Sequence, residues 1–150
     1  MNVISRLTAI DDAYQTCVET SVNLVIYSGE MSPLAVTAAL NMAPTEVKIS
    51  GESIVSSIGR VRLVKKSYWL LSSKGLIESK DVRRHLDWLT AQLTPVKSAL
   101  LRLQDVPGVK MFVDCKWSSR GGMGGPTLWP EQMLALAELN LECGFDVFIE

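Results

Sequence analysis

Val82, Leu86, Leu89, Leu93, Val96, Leu100 and Leu103 follow one another at steps of four and three. That spacing puts all seven on one face of a helix, and the face is long. An apolar stripe of this length needs a cover. A sheet of the same domain supplies one and a coiled-coil partner is the other, with the domain's own sheet favoured as the simpler solution. Pro95 lies inside the stripe, lacks an N–H and clashes with the preceding turn. The expectation is therefore a long helix that Thr94-Pro95 either kinks or ends by capping a second one, with Ser79 as its N-cap and Asp81 at the positive end of its dipole.

Strand-like segments flank this helix on both sides. Val22, Leu24 and Ile26 alternate with Asn23, Val25 and Tyr27, which predicts a strand over residues 18–28. Ser32 as N-cap and Pro33 as first helical residue predict a short helix that ends before Pro44. Residues 44–59 are irregular, with room for one short strand, and residues 61–72 read as a single strand. After Pro107-Gly108 comes another strand over residues 109–117, then a glycine loop, a helix from Pro130 to Leu139 and a closing strand over 145–149. Ser32-Pro33 with Leu40-Asn41-Met42 is echoed by Trp129-Pro130 with Leu139-Asn140-Leu141, a weak internal repeat. Two strand–helix–strand halves joined by the long kinked helix imply an α+β fold. Its sheet has four or five mostly antiparallel strands covered on one face by helices, in the spirit of ferredoxin-like sandwiches. Residues 1–16 read as a leader that is at most partly helical, and residues 17–150 as one domain.

The chain has 150 residues and an apolar fraction of 47%, enough for one ordinary core. Cys17, Cys115 and Cys143 are odd in number and widely spaced, which suits reduced thiols in the cytoplasm better than a disulfide framework. Residues 1–12 lack the apolar centre of a signal peptide, and no run of 18 apolar residues offers a membrane span. Charge is segregated along the chain. Residues 1–59 carry a net −4, residues 60–120 a net +8, and residues 121–150 five acids and no base. No more than two bases adjoin anywhere, so nucleic acid is not the favoured partner and the basic residues are expected on solvated faces.

Chemistry is harder to find. Gly121, Gly122, Gly124 and Gly125 place four glycines among five residues, a backbone able to sit close to a ligand or a neighbouring segment. No Gly-Lys-Ser/Thr follows them and the spacing is not that of a dinucleotide fingerprint. An anion on the loop's amides, paired by Arg120 and flanked by Trp117 and Ser118, is the functional reading. A steric role in a strand-to-helix connection is the other. His85 is the only histidine, so no multi-histidine metal site exists. It is expected as a packed side chain, with acid–base work the alternative. Trp69, Trp88, Trp117 and Trp129 are candidate anchors for a partner, and at least two of them are expected to cover the sheet instead. Asp114 and Asp146 are not paired by any spacing rule. No metal or cofactor motif is present.

Tyr68-Trp69-Leu70-Leu71-Ser72-Ser73, Glu78-Ser79-Lys80-Asp81, His85-Leu86 and Trp88-Leu89 resemble the central block of a bacterial domain of unknown function, the DUF4279 family. Gly124-Gly125-Pro126-Thr127-Leu128, Pro130-Glu131, Leu139-Asn140-Leu141 and Phe145-Asp146 are similar to its C-terminal signature. The resemblance spans residues 18–148 and implies a fold without an activity. Two functional expectations stand beside it. The first is a non-catalytic cytosolic protein-binding domain, for example an immunity-type antitoxin that blocks a bacterial toxin. The second is a small anionic-ligand-binding or enzymatic domain built on the loop over residues 121–125.

Overall fold

A computed structural model describes residues 5–150. Its main sheet is built from β1 (Cys17–Tyr27), β2 (Glu46–Lys48), β5 (Tyr68–Ser72), β6 (Lys110–Ser119) and β7 (Cys143–Ile149). A separate hairpin pairs β3 (Ser53–Val55) with β4 (Val61–Leu63). The helices are α1 (Pro33–Leu40), α2 (Val82–Leu93), α3 (Lys97–Gln104) and α4 (Pro130–Glu138).

Strand order in the main sheet is β2-β5-β1-β6-β7. The first four strands are antiparallel to their neighbours, and β7 runs parallel to β6. Two interleaved βαβ units give this order, with β5 inserted between β1 and β2. It is the ferredoxin-like arrangement extended at one edge by α4 and β7. β1 is central because it is long and apolar on its inner face. Val22, Leu24 and Ile26 are fully buried against Trp69 and Leu71 of β5 and Val113 and Cys115 of β6. The helices all pack on that face.

The stripe that opened the sequence reading covers this sheet. Val82, Leu86, Leu89, Leu93, Leu100 and Leu103 are buried in the same core, so no coiled-coil seam is left over. Pro95 breaks the helix with one tight turn, Thr94–Val96, before α3 resumes. The cap of α2 is Asp81 rather than Ser79: the Asp81 carboxylate accepts from Arg83 N at 3.1 Å. Ser79 stands one step back, its hydroxyl accepting from Asp81 N and donating to Asp12.

The sequence echo has a structural cause. Asn41 and Asn140 are the two non-glycine residues with positive φ among the described residues, at 49° and 53°. Each ends its helix in the left-handed conformation, and the next residue closes the turn with Met42 N donating to Thr37 O and Leu141 N to Leu136 O. Asparagine tolerates that conformation better than other side-chain-bearing residues.

Two expectations change. The strand expected over residues 61–72 is two strands, because residues 61–63 bond to β3 whereas residues 68–72 bond to β1 and β2. The irregular segment over 44–59 holds two short strands instead of one at most. Of the leader expected over residues 1–16, Ser5 lies in a 3-10 turn and residues 6–16 run through bends and turns, while residues 1–4 lie outside the described residues.

Candidate functional site: an uncovered edge strand and the open sheet face

The glycine loop is exposed from Gly121 to Gly124 and pinned by hydrogen bonds along its backbone. Gly121, Gly122 and Gly124 have φ of 64°, 78° and 71°. Gly121 N donates to Glu150 O, Arg120 N to Thr16 O, and the Ser119 hydroxyl to Met123 O, each at 2.8 Å. A hollow of about 10 Å³ beside Gly125 and Pro126 is the space left there, no more than one water's worth. Arg120 lies on the surface with Nε donating to Gln15 O at 3.3 Å. Of the four glycines, Gly124 is the one against which residues 14 and 16 press.

His85 is 1% exposed. Its Nε2 faces the Ser79 carbonyl at 2.7 Å, so Nε2 must donate and Nδ1 must accept. The Ser73 hydroxyl donates to Nδ1 at 2.7 Å and accepts from Val22 N at 2.9 Å. A serine–histidine pair is a familiar catalytic fragment, but Ser73 is fully buried and both groups are saturated. Burial holds the imidazole pKa below its usual value, against the pull of the Ser79 carbonyl. The pair ties β1 to the segment leading into α2.

Trp69 and Trp117 are core residues, 0% and 1% exposed. Trp69 Nε1 donates to the Thr37 hydroxyl at 3.0 Å, and Trp117 lies 6.0 Å from Tyr14, ring to ring. Trp88 is half-buried against the core. Trp129 is also half-buried, donating to Thr8 O at 3.0 Å beneath the Arg83 guanidinium, 4.9 Å from its ring centre.

Arg83 went unnoticed in the sequence, where it reads as one more base on a helix. It is 2% exposed. It holds Asp81 through Nε and Nη2 at 2.9 and 2.7 Å and donates to the carbonyls of Thr8 and Ala9 at 2.7 and 2.8 Å. Asp81 also accepts from Asp11 N at 2.9 Å. Burial pushes the Asp81 carboxyl up, but Arg83 and the two backbone amides outweigh it and leave it below the ordinary range. This latch fastens residues 8–11 over the start of α2.

What stays open lies on the other side of the sheet and at its β7 edge. Register places Asn23 opposite Ser72 and Asp114, Lys116 opposite Ser21 and Asp146, and Ser118 opposite Glu19 and Phe148. The result is a cleft of about 630 Å³ whose walls include Glu19, Ser21, Asn23, Ser72, Lys116 and Ser118. Of the residues singled out in the sequence, Ser118 is the one that lines it. The two aspartates that spacing left unrelated meet beside this floor. Burial, then the hydrogen bond and charge of Asp146, push the Asp114 carboxyl up to about 6 against the opposing effects of Lys116 and Asn23.

Among the described residues, β7 bonds to β6 along one side and to no strand along the other. Phe145, Val147, Phe148 and Ile149 are 45%, 56%, 49% and 74% exposed, an unusual load of apolar surface for an edge. Phe145 and Val147 lie beside Cys115 and Trp117 on the helix side, beyond the reach of α4, and Phe148 looks into the cleft. No helix among the described residues is long and apolar enough to cross a membrane. Among the same residues, no three His, Cys, Asp or Glu side chains gather as a metal site.

The strand order defines a ferredoxin-like α+β domain with one added parallel edge strand. The family model for a domain of unknown function, DUF4279, matches residues 18–149, and the chain belongs to that family. No curated protein and no solved structure matches it.

Proposed function

We propose that this domain binds another protein, taking an extended segment of that partner along the free edge of β7. The observation that carries the reading is the exposed apolar row on a seven-residue strand that has no second partner strand among the described residues. Edge strands that must stay alone are blunted by lysine, proline or a bulge, and β7 has no lysine or proline. Main-chain bonds would give affinity, and side chains alternating along the strand would give choice. Glu142, Asp146 and Glu150 mark this edge, and residues 121–150 hold no base, so the fitting segment is apolar with lysine or arginine flanks. An immunity-type protein that neutralises a toxin is the use this surface suits, since blocking needs a complementary face and no chemistry. The experiment is calorimetric titration against the proteins encoded beside its gene, with Val147→Lys and Ile149→Lys as paired variants. Binding weakened at least tenfold by either substitution supports the reading. Absence of binding by the parent, equal binding by both variants, or a self-dimer that these substitutions dissolve would overturn it.

A second reading rests on the cleft alone. Its volume is that of a small-ligand site, and its floor is made of hydroxyls and an amide. Lys74 and Lys116 are offset by Glu19 and Glu46, so the site suits a polar neutral molecule better than a strong anion. Amide shifts at Ser21, Asn23 and Lys116 on titrating simple polyols, with none on titrating phosphate, are the expected result. No shift with either refutes it.

A further inference from the structure

Cys115 lies in β6, and Cys143 opens β7. The parallel register sets Cys143 opposite Val113 and Cys115 opposite Phe145, so the two cysteines meet diagonally on the helix side of the sheet. Their Sγ atoms are 3.5 Å apart. Cys115 is fully buried and Cys143 is half-buried, while Cys17 is buried at the start of β1, opposite Ser119. A close thiol pair with one accessible member is the arrangement of an attacking and a resolving cysteine.

We propose that Cys115 and Cys143 form a peroxide-responsive thiol pair, in which Cys143 is oxidised and Cys115 resolves it to an intrachain disulfide between β6 and β7. The shared sulfur contact acts in opposite directions on its two members. It draws the Cys143 pKa down and pushes the Cys115 thiol up, and Cys143 is also the member of the pair that solvent reaches. Cys143 therefore supplies the nucleophile. Its thiolate attacks one oxygen of hydrogen peroxide, the O–O bond breaks, and the departing hydroxide takes up a proton to leave as water. Cys143 is then a sulfenic acid. The Cys115 sulfur attacks the Cys143 sulfur, the S–O bond breaks, and the hydroxide released carries off the Cys115 proton as a second water. Two thiols have lost two electrons and one peroxide has gained them.

Bond formation needs the sulfurs to close from 3.5 Å to about 2.0 Å. Cys143 is the first residue of an edge strand, where the backbone yields most easily. The bond would fix β7 to β6 at its N-terminal end.

The test is intact mass and peptide mapping of the full chain, reduced and then treated with hydrogen peroxide. The expected product is about 2 Da lighter, contains a Cys115–Cys143 linked peptide, leaves Cys17 free and reverts with dithiothreitol. Cys17→Ser should give the same link. In Cys115→Ser, and in Cys115→Ala should serine disturb the core, dimedone should trap Cys143 about tenfold more than in the parent. The proposal is overturned if the folded parent keeps all three thiols free. It is equally overturned if it links only through Cys17 or between chains, or if Cys143 advances to the sulfinic acid without any link.

Discussion

Replacing Gly124 by alanine should cost far more than replacing its neighbour Gly125. At Gly124 φ is +71°, and a Cβ there would run into the Thr16 hydroxyl and come within 3.1 Å of the Tyr14 hydroxyl. The backbones of both neighbours are held, which leaves rotation of the Thr16 side chain as the relief. Tyr14 lies against the buried Trp117, and the Thr16 carbonyl is held by Arg120 N. The left-handed backbone costs about 1–2 kcal/mol for a residue with a Cβ. Overpacking against a held segment adds about 1–3 kcal/mol, so a total near 3 kcal/mol is expected. Gly125 has no positive φ, and a Cβ there meets nothing within 4 Å. Pro126 already favours an extended conformation for it, so alanine should stabilise by about 0.4–1 kcal/mol through the unfolded chain. Urea unfolding of the two single variants reads the contrast, with the m-value unchanged. At a slope of about 2 kcal/mol/M the midpoint of Gly124→Ala should fall by about 1.5 M. A cycle with Thr16→Gly separates steric from backbone cost, because only the steric part is coupled to residue 16. If Gly124→Ala unfolds within about 0.5 kcal/mol of the parent, or Gly125→Ala is equally damaging, the packed-loop reasoning is wrong.

Arg83→Met should lower stability by about 3–5 kcal/mol, since it strands the buried Asp81 carboxylate and two carbonyls, and proteolysis should then cut residues 8–16 first. His85→Phe should lose about 1–3 kcal/mol in urea unfolding, because the Ser73 hydroxyl and Ser79 carbonyl are left without their partner. Asp114 binds its proton more tightly folded than unfolded, so between about pH 4 and 6 its contribution to stability falls as pH rises. His85 acts oppositely, since its lowered pKa makes stability fall as pH drops below about 6.5. Asp114→Asn should therefore stabilise by about 1 kcal/mol at pH 7.5, after allowance for solvent screening. The gain should vanish near pH 4, and this variant should lose stability toward acid more steeply than the parent; a gain that persists at pH 4 would refute the assignment.

Local patterns carried the fold further than the site. The stripe from Val82 to Leu103, the Ser32-Pro33 start and the Leu-Asn stops each depend on neighbours within a turn or two, and each survives into the structure. The split of residues 61–72 was hidden because no glycine or proline marks it. The polar run Lys65-Lys66-Ser67 falls at the division, and what fixes it is the choice of partner strand, β3 for Val61 to Leu63 and β1 with β2 for Tyr68 to Ser72. Insertion of β5 between β1 and β2 is likewise a non-local event, set by which strands the helices can cover. Asp114 with Asp146, and Cys115 with Cys143, required the parallel register of two strands separated by a loop and a helix.

Arg83 and β7 show opposite ways in which a charge pattern misleads. A base among bases, Arg83 reads as solvated, yet it is the most enclosed cation of the described residues for which burial is known, because Asp81 caps the same helix and residues 8–9 offer carbonyls. A signal was present in Asp81-x-Arg83, where a cap carboxylate lies within reach of a guanidinium two residues on. β7, by contrast, reads as an ordinary closing strand until topology puts it at the edge, and then the missing bases of residues 121–150 acquire a meaning. A strand with apolar residues on both faces would normally be sandwiched in a parallel sheet. Here β7 is the last strand of the sheet, and Glu142, Asp146 and Glu150 are spaced along it, so its apolar side chains stay on the surface between acids.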